Sequence, residues 1–176
     1  MTTKSLKQNL APYSIPCCGP VPTPPRGQSW EALMDRAIEH ARHGAAAGEV
    51  PVGALLVHPD GRILAETHNQ PVGSHDPTAH AEILALRQAG ARLGNYRLEE
   101  CVLVVTLEPC LMCTGALVHA RLGGLVFGAA DAKAGAIISC LDGLAQSFHN
   151  HQLWYMGGIR SRQCTELLQR FFAHHR

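Results

Sequence analysis

The sequence predicts a layered α/β domain, and three observations predict it. Stretches with helical periodicity alternate with short strand-like runs along most of the chain. The run from Cys101 to Leu107 (CVLVVTL) is apolar on both faces, as expected of a central strand covered from either side. Apolar side chains make up 46% of the 176 residues and charged ones 16%, which fills one core of ordinary size and excludes wholesale disorder.

Each element has its own justification. Residues 1–29 hold six of the eleven prolines and no regular periodicity, so they are expected to form a mobile or extended lead to a domain spanning 30–176. Ser29 is a suitable N-cap, and Trp30, Leu33, Met34, Ala37, Ile38 and Ala41 fall on one helical stripe that stops at Gly44. Val52 to His58 and Arg62 to His68 read as two strands around the tight turn Pro59-Asp60-Gly61. Asp76-Pro77 reads as the N-cap and first residue of a second helix, running to about Gly90. Beyond the central strand, a short helix runs from Cys110 to about Ala120, and a strand from Leu125 to Gly128. A glycine- and alanine-rich stretch leads to a further strand, Leu153 to Met156. The last helix starts near Ser161, with Cys164, Leu167, Leu168, Phe171 and Phe172 at helical spacing.

Composition and charge narrow the function classes. No apolar run approaches the ~20 residues of a membrane span. Nothing after Lys4 and Lys7 reads as a secretory signal. Seven cysteines without an export signal suit metal or thiol chemistry in a reducing compartment, so a soluble cytoplasmic protein is expected. The adjacent Cys17 and Cys18 lack the usual ligand separation, and Cys101, Cys140 and Cys164 are expected to pack as small apolar residues. The net charge of +1 is uneven: residues 1–29 carry three basic side chains and no acid, and residues 160–176 carry four arginines against Glu166. Basic ends on a neutral chain suit a polyanion such as RNA, and equally a solvated helix face.

Two motifs carry chemistry: His80-Ala81-Glu82, and Pro109-Cys110-Leu111-Met112-Cys113. Taken singly, they are a histidine in a core, a surface acid and a redox pair. Together they supply one imidazole and two thiolates, three ligands that leave the fourth tetrahedral position of Zn2+ open, as in a catalytic site. Residues i and i+2 do not share a helix flank, so His80 and Glu82 can meet only at a helix end. Cys110 and Cys113, at i and i+3, share one face of a first turn. Two helix N-termini then converge on the metal, and their positive ends favour thiolate over thiol.

The H-x-E…P-C-x-x-C pattern is the signature of the zinc-dependent deaminases. With Glu49-Val50-Pro51-Val52-Gly53-Ala54, Asn69, Asp76-Pro77-Thr78-Ala79, Thr106-Leu107-Glu108, Gly128-Ala129, Asp131-Ala132-Lys133, Asn150-His151 and Phe171-Phe172, the chain from Trp30 onward resembles the bacterial tRNA-specific adenosine deaminases. The resemblance implies a three-layer, cytidine-deaminase-like α/β/α sandwich around a mixed sheet of about five strands. It also implies one zinc per subunit held by His80, Cys110 and Cys113, with Glu82 moving protons while water replaces the amino group at carbon 6 of a wobble adenosine. Asn69 would hold the base, Val50 and Pro51 would line the pocket, and Asp131 would lie beside the nucleotide backbone. Read as plain residues, Asn69 is a turn residue before Pro71 and Asp131 a loop cap. The implied partners are a tRNA anticodon stem-loop, with one of the two phenylalanines and the basic last helix facing it, and a second copy of the chain.

Overall fold

The computed structural model describes residues 13–15 and 22–174. Lys4, Lys7, the Cys17-Cys18 pair and Arg176 lie outside them, as does much of the proline-rich lead. The chain runs β1 (Tyr13–Ile15), α1 (Trp30–Ala46), β2 (Gly53–Val57), β3 (Ile63–His68), α2 (Pro71–Ser74), α3 (Ala81–Leu93), β4 (Val102–Leu107), α4 (Leu111–His119), β5 (Gly124–Ala129), β6 (Trp154–Gly157) and α5 (Ser161–His174). The strands form one sheet in the order β1-β6-β5-β4-β2-β3. Its β4, β5 and β6 are parallel neighbours and the remaining pairs antiparallel, so the sheet is mixed.

Successive residues of β4 face opposite ways, and each set finds a helical layer. Leu103 and Val105 join Ala85 and Ala89 of α3 and Leu117 and Val118 of α4 in one apolar cluster. Val102 and Val104 join Leu33, Met34 and Ile38 of α1 and Cys164 of α5 in the other. Burying a valine or leucine stabilises by roughly 1.5–3 kcal/mol relative to leaving it in water, and a two-sided strand collects that on both faces. The α/β/α sandwich follows. Close packing of α1 on β2 also explains Gly53, where a Cβ would lie 2.0 Å from the Ala37 carbonyl oxygen.

Three details add to or correct the expectations. First, the expected mixed sheet of about five strands gains a sixth among the described residues, because Tyr13–Ile15 pairs antiparallel with β6. Edge pairing needs only backbone groups, and a Tyr-Ser-Ile triplet among prolines carries no alternation to announce it. Ordered contacts also begin before Ser29: Trp30 Nε1 donates to Pro22 O at 3.1 Å and Arg26 N to Pro59 O at 3.0 Å. Second, Asp76-Pro77 does not start α3, which begins at Ala81. The Asp76 carboxylate closes a turn instead, accepting from Thr78 N at 2.8 Å and the Thr78 hydroxyl at 2.7 Å. Third, Cys101 and Cys164 are buried as expected, but Cys140 is exposed. At the far edge of the sheet, Arg92 of α3 donates to the carbonyls of Ile63 and Leu64 on β3, at 3.0 and 3.3 Å.

Candidate metal centre and active site

Strands β3, β4 and β5 point toward the same edge of the sheet, and the site is assembled beyond their carboxyl ends. β3 hands the chain to Asn69, the short α2 and then α3. β4 hands it through Glu108 and Pro109 to α4. His80 occupies the N-cap position of α3 and Cys110 that of α4, and neither side chain caps its own helix. Both are thereby free to point at a common centre.

That centre is compact. His80 Nδ1 lies 3.5 Å from Cys113 Sγ and 3.7 Å from Cys110 Sγ. Ligand bonds of ~2.0–2.1 Å to nitrogen and ~2.3 Å to sulfur, at a tetrahedral angle, require a nitrogen-to-sulfur edge of about 3.6 Å. The donor atoms therefore already have the spacing of zinc ligands, and they form the one His/Cys/acid cluster of this kind among the described residues.

The two thiols are electrostatically unequal. Hydrogen bonding from the Cys113 thiol, with His80 alongside, pulls Cys110 down to about 4. Cys113 is pushed the other way by its bond to the Cys110 sulfur, by burial and by Glu82. The first thiol ionises easily, and the second does so only if a cation sits between the sulfurs. His80 is raised, chiefly by its hydrogen bond with Cys110. Glu82, on the first turn of α3, is 4% exposed and lies beside Cys113, and burial raises its carboxyl. A dication bound at this centre would hold both sulfurs as thiolates.

The remaining predicted residues have different surroundings. Asn69 is buried, and its Oδ1 accepts from Ala81 N at 2.9 Å, giving α3 the cap that His80 does not. Its Nδ2 has no hydrogen bond to a described residue. Val50 is half-buried and Pro51 buried, joined to Asn69 through Val52, whose carbonyl accepts from Asn69 N at 3.0 Å. Asp131 is half-buried in the loop after β5, and its Oδ1 caps Lys133 N at 2.9 Å, as a loop acid would. On α5, Phe171 is half-buried and Phe172 is 45% exposed. Arg160 is paired with Asp35 at 2.9 Å through Nε and Nη2, and Glu166 is shared by Arg162 and Arg170, at 2.8 and 3.7 Å. Two carboxylates thus engage the three described arginines of the basic end.

Two buried carboxylates escaped assignment from sequence. Glu49 accepts from Val72 N and Gly73 N at 3.3 and 2.7 Å, tying the start of α2 to the Val50-Pro51 segment. Glu108 accepts from four backbone N–H groups of the 131–139 loop. The available signal was an acid embedded next to an apolar run and directly before a Val-Pro or Pro-Cys step, a place where a charge needs several donors.

Residues 28–129 match the cytidine and deoxycytidylate deaminase zinc-binding region, more than half of the chain. The chain belongs to that family. Zinc is accordingly the metal that His80, Cys110 and Cys113 fit, and the reaction class is hydrolytic deamination. Family members similar to the chain include the tRNA-specific adenosine deaminase of Haemophilus influenzae, 44% identical over 151 residues that cover 86% of this chain and 87% of the relative. A solved structure from work on A-to-I editing by tRNA:A34 deaminases superposes with a TM-score of 0.75 at 40% identity, covering 77% of this chain and 98% of the other. A guanine deaminase from Nitrosomonas europaea also superposes, with a TM-score of 0.69 at 28% identity, covering 81% and 84%.

Proposed function

We propose that this deaminase acts on the wobble adenosine of a tRNA anticodon, converting adenosine and water to inosine and ammonia. The observation that carries the reaction is a three-ligand cluster with a buried, non-ligating carboxylate beside it. The likeness to adenosine deaminases of tRNA, at 44% and 40% identity against 28% for the Nitrosomonas guanine enzyme, favours the substrate.

Bound zinc would supply a water whose pKa falls to about 7, ready to attack at neutral pH. Glu82 moves the protons: it takes one from the attacking water, delivers it to the ring nitrogen beside carbon 6, and then serves the departing amine. Asn69 holds the base through Nδ2, the donor left over after Oδ1 has capped α3. Val50 and Pro51 form an apolar wall, and Asp131 with the exposed Phe172 meets the nucleotides flanking the target. The enzyme works in the cytoplasm, as a homodimer.

The deciding experiment offers the purified protein an anticodon stem-loop with adenosine at the wobble position and, separately, free guanine. Inosine in the stem-loop supports the proposal. Ammonia from guanine alone would overturn it. Sedimentation of the same sample reads the subunit number.

A further inference from the structure

We propose that Glu108 is a positioning residue for substrate recognition, holding the 131–139 loop so that Asp131 is presented to the RNA. This rests on the reading of Asp131 as an RNA contact. Glu108 is 2% exposed and stands between β4 and the helix that carries Cys110 and Cys113. One carboxylate oxygen, Oε1, accepts from Ile137 N, Ile138 N and Ser139 N at 3.0, 2.7 and 2.9 Å. The other, Oε2, accepts from Asp131 N at 3.0 Å and from the Ser139 hydroxyl. The loop so gathered belongs to no helix or sheet, and its other bonds to this region are few: Ala136 N donates to Pro109 O at 2.8 Å, the Thr114 hydroxyl donates to Ala136 O at 3.5 Å, and Cys110 forms a single bridge with Gly135.

The loop is built around the carboxylate. At Gly135 a Cβ would fall 2.5 Å from the Glu108 carboxyl carbon and Oε2, and 2.6 Å from Asp131 O, so only glycine lets the turn close over the acid. Glu108 makes no bond to His80, Cys110 or Cys113, and its five donors all come from the one loop that carries Asp131. An apolar residue in its place would leave these five loop donors without their acceptor, so the carboxylate is what gathers the loop.

Oε1 and Oε2 hold different parts of the loop, which allows a selective test. In Glu108→Gln the amide oxygen keeps the three donors at the Oε1 position. The amide nitrogen, itself a donor, then faces Asp131 N and releases it. For the zinc-loaded enzyme and the anticodon stem-loop, KM should rise roughly tenfold to a hundredfold. The zinc content should stay at one per chain and kcat within about threefold of the parent, because the loop and not the metal centre is disturbed. In an Asp131→Ala background, which raises KM by itself, adding Glu108→Gln should have little further effect, since the two act through one contact.

A variant that melts earlier but keeps the parental KM would overturn the proposal, as would full additivity of the two substitutions. If Asp131→Ala leaves KM unchanged, the reading of Asp131 fails and this proposal with it. If Asp131→Ala raises KM and Glu108→Gln does not, the positioning role alone fails. Should Glu108→Gln not fold, Ser139→Ala, which removes one donor from Oε2, should raise KM about threefold. In the unaltered holoenzyme the amides of Asp131, Ile137, Ile138 and Ser139 should resist hydrogen exchange. Free exchange at Asp131 would overturn the proposal.

Discussion

Glu82 shows how a residue can be placed for chemistry by what it does not do. It stands one position past Ala81, whose N–H is taken by Asn69, and beside Cys113, yet it is outside the ligand set. Replacing it with glutamine keeps the volume and removes the ability to exchange a proton. Glu82→Gln should retain stoichiometric zinc and stem-loop affinity while turnover falls by ~10²–10⁴. Metal analysis and single-turnover assays on one preparation read all three. Loss of zinc with loss of activity would instead make Glu82 part of the metal site. The four residues at this centre were legible in the sequence because their spacing is itself the chemistry: a metal needs donors at i and i+3 on one turn. Glu108 and Glu49 were not, because each takes its meaning from donors more than twenty residues away.

At the scale of elements, α1 follows local rules and α3 departs from them. Ser29 caps α1 in the ordinary way, its Oγ accepting from Ala32 N at 3.2 Å. Ser29→Ala should therefore cost about 1 kcal/mol, seen as a lower midpoint in urea with an unchanged slope. A clamp between α1 and β3 adds a pH-dependent contribution. The Arg36 guanidinium, hydrogen-bonded to Glu66, holds that carboxyl below its ordinary value of 4.5 against the opposing effect of partial burial. A carboxylate depressed in the folded state stabilises fully above its unfolded pKa, and that stabilisation fades as pH falls through the lower folded value. Arg36 is half exposed, so the effect stays below about 1 kcal/mol. The stability gap between the parent and Glu66→Gln should narrow as titration proceeds downward from pH 4.5, and a constant gap would exclude the linkage. By contrast, α3 begins four residues after the Asp-Pro step that advertises a helix start. Its N-cap imidazole is committed to the centre, and its cap comes from Asn69, twelve residues upstream. Where a helix start serves a ligand, the local signal for its boundary is lost.

For the whole molecule, the centre is also a fastener. The starts of α3 and α4 lie on the same side of the sheet and meet at His80, Cys110 and Cys113, so zinc binds the folded arrangement far better than the open chain. Chelation should lower the stability of the entire domain, by about 4 kcal/mol if free zinc had exceeded its dissociation constant a thousandfold. Thermal unfolding with and without chelator, reversed by added zinc, measures it. The layered architecture was readable in advance from the two-sided β4 and the alternation of periodicities. The outermost strand was not, since three residues without a pattern join β6 through a main-chain ladder.

That outermost strand bears on how the protein behaves in a crowded solution. One margin of the sheet carries the Arg92 guanidinium against its carbonyls, a charge that discourages a neighbouring chain from adding itself there. The opposite margin relies on Tyr13–Ile15 lying along Tyr155–Gly157. A version shortened to begin at Pro22 would leave those main-chain groups of β6 bare. Light scattering should then show oligomers growing with concentration and time, while the 176-residue chain under the same conditions keeps a constant mass.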